Sequence, residues 1–211
     1  MRTRFAPSPT GPLHLGHAYS AILAHDMARA AGGSFLLRME DTDLERSRPE
    51  YAAQIIDDLT WLGLTWDGPV HRQSEHIARY NARLEPLTVA GLLYPCSCTR
   101  SDIRAALSAP QEGVAFNVYP GTCRGRMMAS RQPGDALRLD LGKALARLEG
   151  ADLSFVETGP ARAGHQAIDH DLAITGIGDI VLSRKGEDIV AYFLASALDD
   201  ADQGISHVIR G

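Results

Sequence analysis

With 211 residues, 45% of them apolar and 22% charged, the chain has room for one large domain or a domain with an insert, and its composition excludes a disordered or fibrous protein. A net charge of −5 excludes a globally basic nucleic-acid binder. A local basic face stays open and would rest on arginine, since the only lysines are Lys143 and Lys185. No apolar run approaches the ~20 residues that span a bilayer. Met1-Arg2-Thr3-Arg4-Phe5-Ala6-Pro7 is not followed by the apolar stretch of a signal peptide. The expectation is a cytoplasmic protein with no membrane contact.

Thr3–Ala6 reads as a short first strand. Pro7-Ser8-Pro9-Thr10-Gly11-Pro12 excludes helix and central strand, because proline fixes φ and lacks a donor. From Gly16 to Ala31, the residues Ala18, Ala21, Ile22, Ala24 and Ala28 recur at three- and four-residue spacing, which predicts a helix that Gly32-Gly33 ends. Ser34–Glu40 reads as a second strand, completing a strand–loop–helix–strand unit near the minimum length for a parallel crossover. Helices are predicted over Pro49–Leu62, stopped by Gly63, and over Ser74–Ala90, stopped by Gly91. Residues 94–135 hold the cysteines with little periodicity and read as an insert. A strand is expected over Ala136–Leu141, then a hairpin of Asp179–Arg184 and Asp188–Val190 around Lys185-Gly186. A helix over Tyr192–Asp199 and a late strand over His207–Arg210 complete the reading. The alternation predicts an α/β fold with a mostly parallel sheet. Its division is 1–93 as the first half of a nucleotide-binding domain, 94–135 as the insert, and 136–211 as the rest of the insert and the second half.

The loop between the first strand and helix carries Ser8, Thr10, Gly11, His14, Gly16 and His17. A helix N-terminus presents unpaired N–H groups and positive dipole potential, which suit phosphate. Gly16 permits close approach of a nucleotide. Two histidines at i and i+3 can both point at a triphosphate and donate to charge that grows in a transition state. An isolated His-x-x-His is more often a pair of surface histidines; the strand-to-helix junction favours the phosphate reading.

Arg4-Phe5-Ala6-Pro7-Ser8-Pro9-Thr10-Gly11 with His14-Leu15-Gly16-His17 resembles the first signature of the class I glutamyl-type tRNA synthetases. Leu37-Arg38-Met39-Glu40-Asp41-Thr42-Asp43 resembles that family's second strand. Asp199-Asp200 and Gly204-Ile205-Ser206-His207-Val208-Ile209-Arg210-Gly211 resemble its later segment. The resemblance implies a Rossmann-like catalytic domain with an inserted zinc-binding, acceptor-type subdomain. It also implies activation of L-glutamate with ATP and Mg²⁺. Pro7, Ser8, His14, Gly16 and His17 would bind ATP, with His14 and His17 catalytic. Arg4, Phe5, Ala6, Pro7, Ser8, Glu40, Tyr192 and Arg210 would hold glutamate. The chemistry suits it: arginine forks match carboxylates bidentately, Glu40 would hold the α-ammonium, and Tyr192 would donate its hydroxyl. Which arginine takes which carboxylate stays open. Singly, Arg4 and Glu40 read equally well as an ion pair across adjacent strands, and Tyr192 as a core aromatic.

Three cysteines, Cys96, Cys98 and Cys123, lie close together, which in a reducing cytosol points to metal more than to disulfide; buried free thiols are the alternative. Structural zinc takes four ligands. In the glutamyl-queuosine branch of the family the fourth is a tyrosine, which the resemblance places at Tyr119. One structural Zn²⁺ per chain is the expectation.

Two branches of the family fit. One esterifies glutamate to the 3′ end of its tRNA. The other attaches it to queuosine in the anticodon of tRNA(Asp). Gly125 and the segments Leu15–Ala21, Arg72–His76 and Tyr119–Arg124 resemble the second; Glu40–Ser47 resembles the first. The second implies a monomer that grips the anticodon stem-loop of tRNA(Asp), with Arg124 and Arg126 as candidates for a basic face. The family's lysine-serine-lysine loop lies downstream of Gly211, so a truncated chain, incomplete for full activity, is expected. A fragment that binds glutamate, zinc or RNA without chemistry is the remaining alternative.

Overall fold

The computed structural model describes residues 1–107, 118–184 and 190–209. It comprises two compact units, Met1–Ala82 with Asp188–Gly211, and Arg83–Glu187. The cysteine-bearing stretch 94–135 falls in the second. No helix among the described residues is long and apolar enough to cross a membrane.

In the first unit, β1 (Arg2–Phe5), α1 (Leu15–Ala30), β2 (Ser34–Met39), α2 (Pro49–Trp61), β3 (His71–Arg72) and α3 (Ile77–Ala82) follow one another, and the chain returns as α8 (Tyr192–Asp202). The strands form a parallel sheet in the order β1-β2-β3. Alternation on β2 sends Phe35, Leu37 and Met39 into an apolar core with Ala21, Ala24 and Ala28 of α1. Alanines on that helix face allow close approach: Thr3 Oγ1 on β1 donates to the Ala24 carbonyl at 2.8 Å. Arg38, next but one to Leu36 along β2, is wholly buried on the opposite face. The crossover is tight where Gly33 enters β2, because a Cβ there would lie 1.9 Å from the Met1 carbonyl oxygen.

The second unit holds α4 (Leu84–Val89), β4 (Leu93–Cys96), α5 (Arg100–Leu107), β5 (Ala136–Leu139), α6 (Leu141–Arg147), β6 (Ser154–Glu157), β7 (Gly164–Ala167), α7 (His170–Gly176) and β8 (Val181–Ser183). Here β4-β5-β8 form an antiparallel sheet and β6-β7 a separate hairpin.

Three expectations are corrected. The helix over Ser74–Ala90 is instead a 3-10 turn (Gln73–His76), α3 and α4. Pro86 has no N–H for the Ala82 carbonyl, which ends the ladder there, and the Asp41 carboxylate accepts from Ser74 N and Oγ at 2.8 Å each, fixing the turn. The late strand over His207–Arg210 is not formed in its described part, residues 207–209. Ser206 and His207 both donate their N–H to the one Arg2 carbonyl, so no ladder register develops. The strand expected over Ala136–Leu141 stops at Leu139, because Asp140 caps α6 by accepting from Lys143 N at 3.1 Å. The turn Lys185-Gly186 lies outside the described residues.

Candidate functional site

At the N-terminus of α1 the two histidines cap the helix with each other. Gly16 N–H donates to His14 Nδ1 at 3.1 Å, and His14 N–H donates to His17 Nδ1 at 3.3 Å. The rings stack, with centroids 3.6 Å apart and planes 23° apart. An accepting nitrogen carries no proton, so each neutral ring has its proton on Nε2, the nitrogen left for a ligand. Burial, and then the neighbouring His14, lower the pKa of His17, which keeps it neutral. Gly16 has a local role as well: a Cβ there would sit 3.1 Å from His14 Cε1. The preceding loop is tied to the end of β2, where Pro7 accepts from Glu40 N at 2.9 Å, and to the start of α2, where Pro9 accepts from Arg48 N at 2.9 Å. Pro7 is buried, Ser8 is exposed, and Ala6 is half-buried. Phe5 points its side chain into the apolar core.

The other face of the sheet carries a charged cluster under α8. Arg4 forms a bidentate pair with Asp200, Nε to Oδ1 and Nη2 to Oδ2, each at 3.1 Å. Arg38 Nη1 donates to Asp200 Oδ1 at 2.8 Å, and Arg38 Nη2 meets Glu40 Oε1 and Ser196 Oγ at 3.4 Å each. Arg4 and Glu40 therefore belong to the same cluster, but Arg4 pairs with Asp200 and Glu40 with Arg38. Burial raises the pKa of Glu40, opposed by Arg38, Arg4 and Ser196. A substrate ammonium beside it would favour the ionised form. Tyr192, Ser196 and Asp200 are four residues apart and share one side of α8. Tyr192 begins that stripe, 40% exposed, its ring edge-on to Phe193. Arg210 lies outside the described residues.

Asp199 anchors the helix beneath this cluster. It is fully buried and accepts from Gln73 Nε2 at 2.8 Å, from Tyr80 Oη at 2.9 Å, and from His71 Nε2 at 3.2 Å, and it pairs with Arg79. Burial pushes its pKa up, but hydrogen bonds from His71, Gln73 and Tyr80 outweigh that and bring it down to about 2. The roles of Arg38, Ser196, Asp199 and Asp200 went unread in the sequence. The available signal was Arg38 within a strand whose other face is wholly apolar.

In the second unit the three sulfurs come within 4.8 Å of one another. Cys98 and Cys123 Sγ are 3.5 Å apart, and the Tyr119 hydroxyl stands 3.4 Å from Cys96 Sγ and 3.6 Å from Cys98 Sγ. Zinc–sulfur bonds of about 2.3 Å put tetrahedral ligands about 3.8 Å apart, so the three sulfurs could hold one ion, with the Tyr119 hydroxyl beside two of them. Arg138 lies over the Tyr119 ring, 3.7 Å from its centroid, with Nε 3.3 Å from Cys96 Sγ, which would offset thiolate charge. Burial raises the Cys98 thiol to about 11. For Cys123 burial is outweighed by hydrogen bonds from Tyr119 and Ser97, and the thiol falls to about 6. Arg124 and Arg126 are already engaged with buried carboxylates: Arg124 Nε reaches Asp179 at 2.7 Å, and Arg126 Nη2 reaches Asp135 at 3.0 Å. Each charge is thus largely neutralised within its own unit, which weakens them as a basic face.

The α/β fold with a parallel sheet is that of the class I synthetase catalytic domains. Residues 1–132 match the family model of tRNA synthetases class I (E and Q), catalytic domain, and the chain belongs to that family. It is 53% identical to a glutamyl-Q tRNA(Asp) synthetase of Rhodobacter capsulatus, across all of this chain and 76% of that one. A glutamyl-Q tRNA(Asp) synthetase of Nitratidesulfovibrio vulgaris is 40% identical, with 65% of its length covered, and a glutamate–tRNA ligase of Heliobacterium modesticaldum is 38% identical, with 42% covered. Among solved structures, a glutamate tRNA ligase of Elizabethkingia meningosepticum in complex with its amino acid is similar at a TM-score of 0.73 and 30% identity, over all of this chain and 43% of that one.

Proposed function

We propose that the chain activates L-glutamate with ATP as glutamyl-adenylate and serves transfer of the glutamyl group to the queuosine base of tRNA(Asp). The observation that supports the activation is the capped histidine pair at the N-terminus of α1, whose Nε2 groups are left for a ligand. The choice of acceptor is supported by the 53% identical relative. In this reading a glutamate carboxylate attacks the α-phosphorus and pyrophosphate leaves. No protein nucleophile is required; positioning and stabilisation of charge suffice. His14 and His17 donate to the phosphates, with Pro7, Ser8 and Gly16 lining the same loop. Mg²⁺ accompanies ATP and neutralises phosphate charge. Arg4, Tyr192 and Arg210 bind the substrate's carboxylates and hydroxyl-accepting atoms, Glu40 takes the ammonium, and Phe5 and Ala6 contribute main chain.

Cys96, Cys98, Tyr119 and Cys123 hold one structural Zn²⁺ in an acceptor-type subdomain, where the ion would tie together two segments of chain, 96–98 and 119–123. The protein acts as a cytoplasmic monomer on the anticodon stem-loop of tRNA(Asp), whose unpaired bases can splay into a pocket. A second reading, the catalytic portion of a glutamate–tRNA ligase, is supported by the Heliobacterium relative.

ATP–pyrophosphate exchange tests the activation. Changing both His14 and His17 to alanine is expected to lower glutamate-dependent exchange about 100-fold or more, the scale of losing a donor aimed at transition-state charge. Calorimetric glutamate binding should persist. Exchange that survives at its original rate would remove the histidines from the mechanism.

A further inference from the structure

Arg4 offers five N–H groups in one plane. Asp200 takes two of them, on Nε and Nη2, which leaves the end of the fork, Nη1 with the second Nη2 hydrogen. Asp200 is itself held. Its Oδ1 also accepts from Nη1 of Arg38 at 2.8 Å, and Arg38 is wholly buried in β2. One residue earlier, Asp199 is locked by His71, Gln73 and Tyr80, so α8 cannot rotate without breaking a buried carboxylate network. The formal charges of Arg4, Arg38, Glu40 and Asp200 sum to zero. The cluster therefore draws an anionic amino acid through the aim of Arg4 rather than through net charge.

We infer that Asp200 is a positioning residue that sets amino-acid chain length at this cluster, by holding the side edge of Arg4 so that only the end of its fork meets a substrate carboxylate. The inference rests on the glutamate reading above and refines it. A fixed fork reads the distance from that carboxylate to the ammonium at Glu40; a swinging fork does not. Aspartate carries the same charges as glutamate on a chain one methylene shorter, which makes it the discriminating ligand. Loss of the Asp200 charge alone would leave the cluster at +1 and tighten both amino acids alike. Loss of aim would instead close the gap between them.

Calorimetry on the full chain with glutamate and with aspartate separates these effects. The unsubstituted chain should favour glutamate. In Asp200→Asn the ratio of the two Kd values should fall about tenfold or more, tenfold being about 1.4 kcal/mol. Asp200→Glu, which keeps a carboxylate for the fork, should recover part of that ratio. An unchanged ratio with both ligands bound overturns the role of Asp200 and leaves the glutamate reading standing, whereas an unsubstituted chain that binds no glutamate overturns that reading itself. If Asp200→Asn does not fold, arginine side-chain NMR on the unsubstituted chain decides, with the Arg4 resonance identified by its loss in Arg4→Lys. Its Nε–H should exchange slowly with and without glutamate; loss of protection when glutamate is added overturns the inference.

Discussion

Replacing Cys96 and Cys98 together by serine is expected to empty the second unit of metal and to destabilise it more than any surface change could. Elemental analysis of the unsubstituted protein should find one zinc per chain, and the double variant should retain none. The four donors come from two pieces of chain: Cys96 ends β4 and Cys98 follows it, while Tyr119 and Cys123 lie beyond α5. Without the ion, three thiols and a phenol are left to hydrogen-bond one another in a buried pocket. Structural zinc contributes about 10–16 kcal/mol of apparent binding free energy in small domains. That is comparable to the total stability of an ordinary domain, about 5–15 kcal/mol. The thermal midpoint should fall by about 10 °C or more. A metal-free protein of unchanged midpoint would show that the cysteines are no more than packed thiols.

Asp199→Ala should be the most damaging single substitution in the first unit. It strips a carboxylate from His71, Gln73, Arg79 and Tyr80, all gathered about one fully buried side chain. The buried Gln73 and Tyr80 donors lose their acceptor, at about 1–3 kcal/mol each, and His71 loses its partner, while Arg79, one-third exposed, keeps Asp202. In a chain of this size that is a fall of about 10 °C in the midpoint. The same group gives a pH dependence. Its folded pKa of about 2 lies below the ordinary 3.8, so its contribution is fully present above about pH 4. It is lost as the pH falls through about 2, where the carboxylate gains its proton in the folded state as well. Thermal scans between pH 5 and 2 should show a decline that Asp199→Ala lacks. Parallel curves for the two proteins would assign the acid sensitivity elsewhere.

The beginning of the chain was legible because local rules and the fold agree there. Prolines 7, 9 and 12 forbid regular structure, small residues recur with helical period, and Gly32-Gly33 ends α1 where the strand must start. The place of the histidine pair could be read for the same reason: it sits at a strand-to-helix junction that the sequence announces. The clustering of Cys96, Cys98 and Cys123 was visible from their spacing, whereas Tyr119 stood out only through family resemblance.

Other features needed tertiary information. Nothing local tells Arg4 and Arg38 that their partner is Asp200, more than 160 positions away; that choice is made when α8 crosses the sheet. β3 has two residues, too few for an alternating pattern to register. The helix over 74–90 kept its apolar period straight through Pro86, and the missing N–H decided otherwise. Val208-Ile209 has the composition of a strand, but Ser206 and His207 compete for one carbonyl and the ladder never starts.

In the proposed reaction this chain's module puts glutamate on queuosine. Its most direct test is transfer of radiolabelled glutamate to tRNA, with ATP, by a protein carrying this chain at the full length of its glutamyl-Q relatives. Label should appear on tRNA(Asp) that contains queuosine and should be absent from the same tRNA without it and from tRNA(Glu). Acylation of tRNA(Glu), or label retained on tRNA lacking queuosine, would contradict the assignment and place the protein among the glutamate–tRNA ligases.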